Sequence, residues 1–96
     1  MARTWGAAGT IRAEHPMTDS DFIVEVLKSI GGPGSVWQEI TDTEFSATFN
    51  VYAENAGEAA PLIREAIAKA EKGLGRYGAK VDGLSEARHV FISRPS

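Results

Sequence analysis

The sequence predicts one small α+β domain, in which two helices cover one face of an antiparallel sheet. Two stretches repeat apolar residues at helical spacing, residues 22–30 and 59–74, and residues 44–53 alternate strictly between apolar and polar. The chain has 96 residues, of which 43% are hydrophobic and 24% charged. This composition is typical of a globular domain with one core. We therefore expect a single domain over residues 1–96, with 1–9 and 94–96 as candidate flexible ends.

The first helix is predicted to begin after Thr18, with Asp21 three positions on as a short form of the capping box. The glycines and proline of 31–34 are expected to end it, because Gly adopts the left-handed cap and Pro cannot continue a helix. Its apolar stripe consists of Phe22, Ile23, Val26, Leu27 and Ile30.

The second helix is predicted to begin after Asn55, with Glu58 completing a capping box. Gly73, Gly75 and Gly78 are expected to end it and to form a loop. Its buried stripe is predicted to be Ala59, Leu62, Ile63, Ala66, Ile67, Ala70 and Leu74.

The strands complete the order of elements. A first strand is predicted around residues 10–13, and residues 36–41 and 44–53 form a hairpin around Asp42 and Thr43. The last segment has strand-like pieces at 80–82 and 90–92, with a bulge or a split into two short strands at Gly83. The order strand, helix, hairpin, helix, strand is that of the ferredoxin-like β-α-β-β-α-β fold. Met17 is a candidate alternative to Met1 as the translation start, and a chain beginning there would lack the first strand.

This order resembles that of several ferredoxin-like families, including amino-acid-sensing regulatory domains and small cofactor-independent monooxygenases. The first group usually carries a Gly between the first strand and helix, where this chain has residues 15–17, His-Pro-Met. The monooxygenases of the second group have polar residues in their pocket, and we identify no equivalent residues in this sequence. The resemblance therefore implies a fold and little about function.

The outer face of the predicted sheet carries the candidate site. Phe45, Phe49 and Val51 are assigned to the helix-covered face. Alternation along the hairpin is taken to put an opposite set on the outer face: Trp37, Tyr52, Glu39, Thr48 and Asn50. Two aromatic residues on a polar sheet face are typical of an interface. The alternative is that the N-terminal segment or the tail covers them, and Trp5 could join either arrangement.

Several classes of function are not expected, because the sequence lacks the residues that they require. The chain has no cysteine, which excludes disulfides, thiolate metal sites and cysteine nucleophiles. Its net charge is −3 with no block of Lys or Arg, so nucleic acid is not the expected partner. Neither His15 nor His89 has metal-ligand spacing, and no cofactor motif is present. No stretch approaches the roughly 18 apolar residues of a membrane span, so we expect a cytoplasmic protein.

We therefore hypothesise a non-enzymatic interaction or regulatory module whose outer sheet face binds another protein or a second copy of the chain. An accessory protein of a phage or mobile element is one form of this hypothesis. The alternative is a small ligand sensor or cofactor-independent enzyme of the dimeric α+β barrel type, with a pocket that uses Trp37, Asn50 or His89. A cavity with converging polar groups would favour that alternative.

Overall fold

The computed structural model describes residues 3–30 and 35–90, except the side chain of residue 35. The predicted helix stop at 31–34, the end of the last strand at 91–92 and the flexible end at 94–96 lie outside these residues. The helices are α1 (Ser20–Lys28) and α2 (Ala56–Gly73), the second followed by a 3₁₀ turn over Gly75–Tyr77. The strands are β1 (Arg3–Arg12), β2 (Ser35–Thr41), β3 (Glu44–Ala53), β4 (Lys80–Asp82) and β5 (Arg88–His89).

The strands form one antiparallel sheet in the order β2-β3-β1-β4, and β5 also pairs with β1. The predicted α+β class, with one antiparallel sheet and two helices, is confirmed. Because β3 pairs with β1 along its whole length, β4 and β5 lie on the other edge of β1. Both β1 and β2 run antiparallel to β3, so they are parallel to each other and separated by one strand.

The first strand is longer than the sequence indicated. It begins at Arg3, not near Thr10, and pairs with β3 from Arg3 opposite Ala53 to Arg12 opposite Glu44. Residues 3–9 are therefore part of the central sheet and not a flexible end. The strand was not predicted here because Gly and Ala have a low propensity for strands. Pairing with neighbouring strands on both sides stabilises the strand in the folded protein.

The edge beside β1 is split into two short strands, which is one of the two predicted forms. The first lies at Lys80–Asp82, as predicted, and the second at Arg88–His89, two residues before the start of the predicted piece at 90–92. Gly83 has φ +65°, a left-handed conformation that residues with a side chain rarely adopt. After β4, the chain separates from β1 at Gly83 and pairs with β1 again at β5. Between the two strands, Ser85 bridges the gap, because its N–H donates to the Ala8 carbonyl at 2.8 Å and its Oγ accepts from the Ala8 N–H at 2.9 Å.

The alternation predicted for β3 is confirmed, since one side of this strand is buried: Phe45, Ala47, Phe49, Val51 and Ala53. These side chains join one buried cluster with Ile23 and Leu27 of α1 and with Ala59, Ile63, Ala66 and Ala70 of α2. We call this side of the sheet the helix face. Phe49 is 0% exposed, which places the centre of the core at the middle of β3.

The N-cap of α2 is the predicted residue, whereas the N-cap of α1 is not. Asn55 caps α2, as predicted, by accepting from the Glu58 N–H at 3.0 Å, and the Glu58 carboxylate accepts from the Glu54 N–H at 3.2 Å. The N-cap of α1 is Asp19 and not Thr18, because the Asp19 carboxylate accepts from the Phe22 N–H at 3.1 Å. The helix therefore begins one residue later than predicted.

Candidate functional site

The side of the sheet turned away from the helix face is the candidate site, and we call it the open face. Directly opposed residues of an antiparallel pair share a face. The register of β1 and β3 therefore places two rows on the open face: Thr4, Gly6, Ala8, Thr10 and Arg12, opposite Tyr52, Asn50, Thr48, Ser46 and Glu44. Among the residues that the structure describes, neither helix contributes to the buried cluster from this side.

Three of the five predicted site residues lie on the open face. Tyr52 is 55% exposed, and Thr48 and Asn50 are partly buried on the same side of β3. Their side chains follow the alternation that buries Phe49 and Val51 on the other side. The sequence therefore assigned the β3 part of the surface correctly.

Trp37 and Glu39 were assigned to the wrong face. Trp37 lies opposite Ala47 and Glu39 opposite Phe45, both helix-face residues. Trp37 packs against the buried cluster and, with Glu39, lines a cavity of about 250 Å³ between β2 and α1. The prediction was wrong because β2 has apolar side chains on both sides, so its alternation does not indicate which side is buried.

The open face of β2 instead carries Val36, the neighbour of Trp37 in the sequence. Val36 lies opposite Thr48 and is 68% exposed. Ile40, 56% exposed, lies where a register shift between Glu39 and Thr41 interrupts the pairing. Val36 remains exposed because it lies on the side of the sheet opposite the one on which α1 and α2 contribute to the buried cluster.

Charged groups lie at the edges of the open face. At one end, Arg12 is 3.4 Å from the Glu44 carboxylate and 3.2 Å from the Asp82 carboxylate. Arg88 lies on β5 opposite Gly6, at the lateral edge of the face and level with Asn50. The positions between them on β1 and β3 carry no charge. An uncharged centre with charges at the rim is the usual arrangement of a protein–protein interface.

Asn50 has an unusual environment within this centre. Its Oδ1 atom is buried and has no hydrogen-bond partner among the described residues. The atom occupies the space that a Cβ would take at Gly6, and the side chains of Val90 and Thr48 surround the same point. Gly6 therefore permits the Asn50 amide to lie against the backbone of β1, a close approach that no pattern in the sequence indicates.

The two outer edges of the sheet are less suited to a partner strand. At the β4 edge, the Glu71 carboxylate of α2 accepts from the Val81 N–H at 3.0 Å, which occupies a donor of the strand. At the β2 edge, the register shift between Glu39 and Thr41 interrupts the regular row of backbone groups. Such features oppose edge-to-edge pairing. On the open face, part of the surface is already covered within the described residues, because Thr4 is 8% exposed and the Val90 side chain lies against Gly6.

The residues proposed for a catalytic pocket do not converge. Asn50 lies on the open face, whereas Trp37 lies on the helix face, so the sheet separates them. The His89 ring lies 5.6 Å from the Trp5 ring, and Trp5 donates through Nε1 to the Ala53 carbonyl at 3.1 Å. Within residues 3–30 and 35–90, no three His, Asp or Glu side chains are arranged to hold a metal ion.

A separate cavity of about 320 Å³ lies between α2, Ala7 of β1 and the segment 84–87. Its walls are mostly small and apolar, and include Ala56, Ala60 and Ala87. Arg64 and Glu86 are the charged residues that line it. The cavity exists because alanines face each other where larger side chains would fill the space.

In the described part of the chain, no helix combines the length and apolar character needed to cross a membrane. Comparison of the chain with protein-family models, with curated proteins and with solved structures finds no match.

Proposed function

We propose that this chain is a non-enzymatic interaction module that binds a protein surface through the open face. The observation that carries the proposal is an uncharged sheet centre, uncovered by α1 or α2, on which Val36 and Tyr52 are more than half exposed. Exposed apolar and aromatic side chains gain free energy when a partner removes them from water. Nucleic acid is a poor fit, because the Arg12 guanidinium at the rim lies beside two carboxylates.

A matched pair of variants tests this proposal. Ala8 is exposed on the open face, and Ala68 is exposed on α2. Ala8→Lys adds a charge to the open face, whereas Ala68→Lys adds the same charge elsewhere. We expect Ala8→Lys to remove proteins that co-purify with the wild type, or self-association if the partner is a second copy, and Ala68→Lys to keep them. Binding that survives Ala8→Lys in the folded protein contradicts the proposal.

We also propose that the arrangement is of the ferredoxin-like type. The support is that α1 connects β1 to β2 and α2 connects β3 to β4, and that each of these strand pairs is parallel with one strand between its members. A cytoplasmic location belongs to the same proposal, because a small domain without cysteines needs no oxidising compartment for its stability. Cell fractionation with an antibody to the native protein tests the location.

Ligand sensing is the second candidate function, and the alanine-lined cavity is the observation that favours it. Its volume of about 320 Å³ is at the lower end of the range for small-molecule sites. Ala60→Leu fills the cavity from α2 with a residue that favours a helix. A small-molecule screen by NMR supports this candidate only if a compound shifts residues 84–87 in the wild type and not in Ala60→Leu.

A further inference from the structure

The cavity between β2 and α1 has a mixed lining and a volume of about 250 Å³. Part of the lining is apolar and buried: Met17, Ile23 and Phe45. The partly buried Trp37 adds an aromatic ring. Three polar residues also line the cavity: Thr18, Ser20 and Glu39. A cavity of this composition suits a small molecule that has an apolar part and one polar group.

The polar side chains of this cavity form no bond to one another or to other described residues. Within residues 3–30 and 35–90, the Glu39 carboxylate has no ion pair, and the hydroxyls of Thr18 and Ser20 have no hydrogen bond. A carboxylate accepts hydrogen bonds through both oxygens, and a hydroxyl accepts through its lone pairs. The three side chains therefore offer free acceptors to a ligand that carries several donors.

The charge around the cavity is negative. Among the described residues that line it, Glu39 is the only charged one. Asp19 and Asp21 lie at the start of α1, where their carboxylates offset the positive end of the helix dipole. The Arg76 guanidinium lies 3.7 Å from the centre of the Phe22 ring, and Phe22 is not a lining residue. The cavity therefore favours a cation over an anion.

A primary ammonium group matches these acceptors better than a metal ion does. An ammonium carries three N–H donors, one for each polar side chain of the lining. Calcium takes about six to eight oxygen ligands, whereas Glu39 is the only carboxylate among the described lining residues. Trp37 favours the same choice, because the face of an indole ring attracts organic cations.

The size of the cavity limits the ligand to a short chain. Sites for drug-sized molecules have volumes of roughly 300–1,000 Å³, and this cavity is smaller. An alkyl chain of a few carbons that extends from the ammonium would contact Met17, Ile23 and Phe45. Removal of that chain from water adds to the free energy of binding.

We propose that this cavity binds a short primary alkylamine in its ammonium form. Glu39 is the counter-ion, Thr18 and Ser20 are further acceptors, and the alkyl chain lies against Trp37 and the buried apolar residues. The inference goes beyond the proposed function and does not depend on it, because β2 separates this cavity from the open face. A free amine and the lysine side chain of another protein offer the same chemistry, so the experiment includes both.

NMR titration with n-butylamine at one fixed pH tests the proposal on the wild type, Glu39→Gln and the control Glu25→Gln. Glu25 is exposed on α1 and does not line the cavity, so the control removes the same charge elsewhere. Glu39 is also exposed, so both variants are expected to fold. We expect shifts at residues 17–24 and at the Trp37 indole in the wild type and in Glu25→Gln. The dissociation constant should rise at least about tenfold in Glu39→Gln.

Three further ligands test the chemistry of the site. Butanol and butyrate have similar chains without the ammonium, and we expect each to bind at least about tenfold more weakly than butylamine. Nα-acetyl-lysine methylamide carries the same ammonium on a blocked amino acid. Tighter binding of butylamine assigns the site to a free amine, whereas tighter binding of the blocked lysine assigns it to a lysine side chain of a partner protein.

The contrary outcomes are distinct. Butylamine that shifts no signal at residues 17–24 overturns the site. Butanol that binds as tightly as butylamine overturns the assignment of an ammonium ligand. Equal weakening in Glu39→Gln and Glu25→Gln shows an effect of net charge and removes Glu39 from the site. None of these outcomes bears on the open face, which Ala8→Lys and Ala68→Lys test separately.

Discussion

Trp37 of β2 lies directly opposite Ala47 of β3, and this pairing decides which face of the edge strand is buried. The largest side chain of the hairpin thereby lies beside one of the smallest. Because Ala47 is 1% exposed, Trp37 belongs to the helix face, and its neighbours Val36 and Gln38 belong to the open face. Trp37 is therefore a core residue at the edge of the sheet and not part of the interaction surface.

Trp37→Ser is expected to destabilise the fold and not to act through an interface. The indole is partly buried against the core, so its loss should lower the free energy of unfolding by about 1–3 kcal/mol, less than for a fully buried Trp. Urea denaturation measures this change. Val36→Ser, the exposed neighbour on the other face, is the control and should change stability by under about 0.5 kcal/mol. Equal effects of the two variants would show that the assignment of faces is wrong.

Phe49→Ala is expected to lower the free energy of unfolding by roughly 3–5 kcal/mol. The Phe49 side chain is 0% exposed at the centre of the core, so the substitution removes buried apolar area and leaves a cavity. Thermal or urea unfolding checks the value. Tyr52→Ala, on the same strand but more than half exposed, serves as the comparison and should cost much less. A melting temperature unchanged in Phe49→Ala would contradict the location of the core.

The contact between Glu71 and Val81 is expected to stabilise the β4 edge. Glu71→Ala removes the acceptor of the Val81 N–H and should cost about 1–3 kcal/mol. Glu71→Gln keeps an acceptor oxygen at the same position and should cost less. Hydrogen exchange of the Val81 amide, with urea unfolding, distinguishes the two variants. Exchange that is equally fast in the wild type and in Glu71→Ala would show that this hydrogen bond does not protect the strand.

A chain that begins at Met17 is expected not to fold. It would lack β1, which lies between β3 and β4 and pairs with β3 over 10 residues. Without β1, the backbone of β3 loses its partner and β4 has no strand to join. Circular dichroism and one-dimensional NMR of residues 17–96 test this expectation, with the full chain as the control. A folded fragment would mean that β3 can pair in another way.

The sequence by itself determined the helices, the hairpin and the buried side of β3, because each depends on local periodicity. The stripe of α2 and the row from Phe45 to Ala53 repeat at the spacings of a helix and of a strand with one buried side. Leu62 is the exception, because it was predicted to be buried and is 41% exposed. Asn55 was recognisable as a cap because its hydrogen bond spans three residues of the same chain segment. The open-face positions of Thr48, Asn50 and Tyr52 followed from the same alternation.

Tertiary structure alone decided the features that depend on which strands meet. The face of Trp37 depends on its register against Ala47, and a shift of one residue would turn every side chain of β2 to the other side. The length of β1 depends on pairing along both of its edges, which compensates for the weak strand propensity of its Gly and Ala residues. The burial of Asn50 Oδ1 against Gly6 joins residues 44 positions apart, a contact that no local pattern encodes.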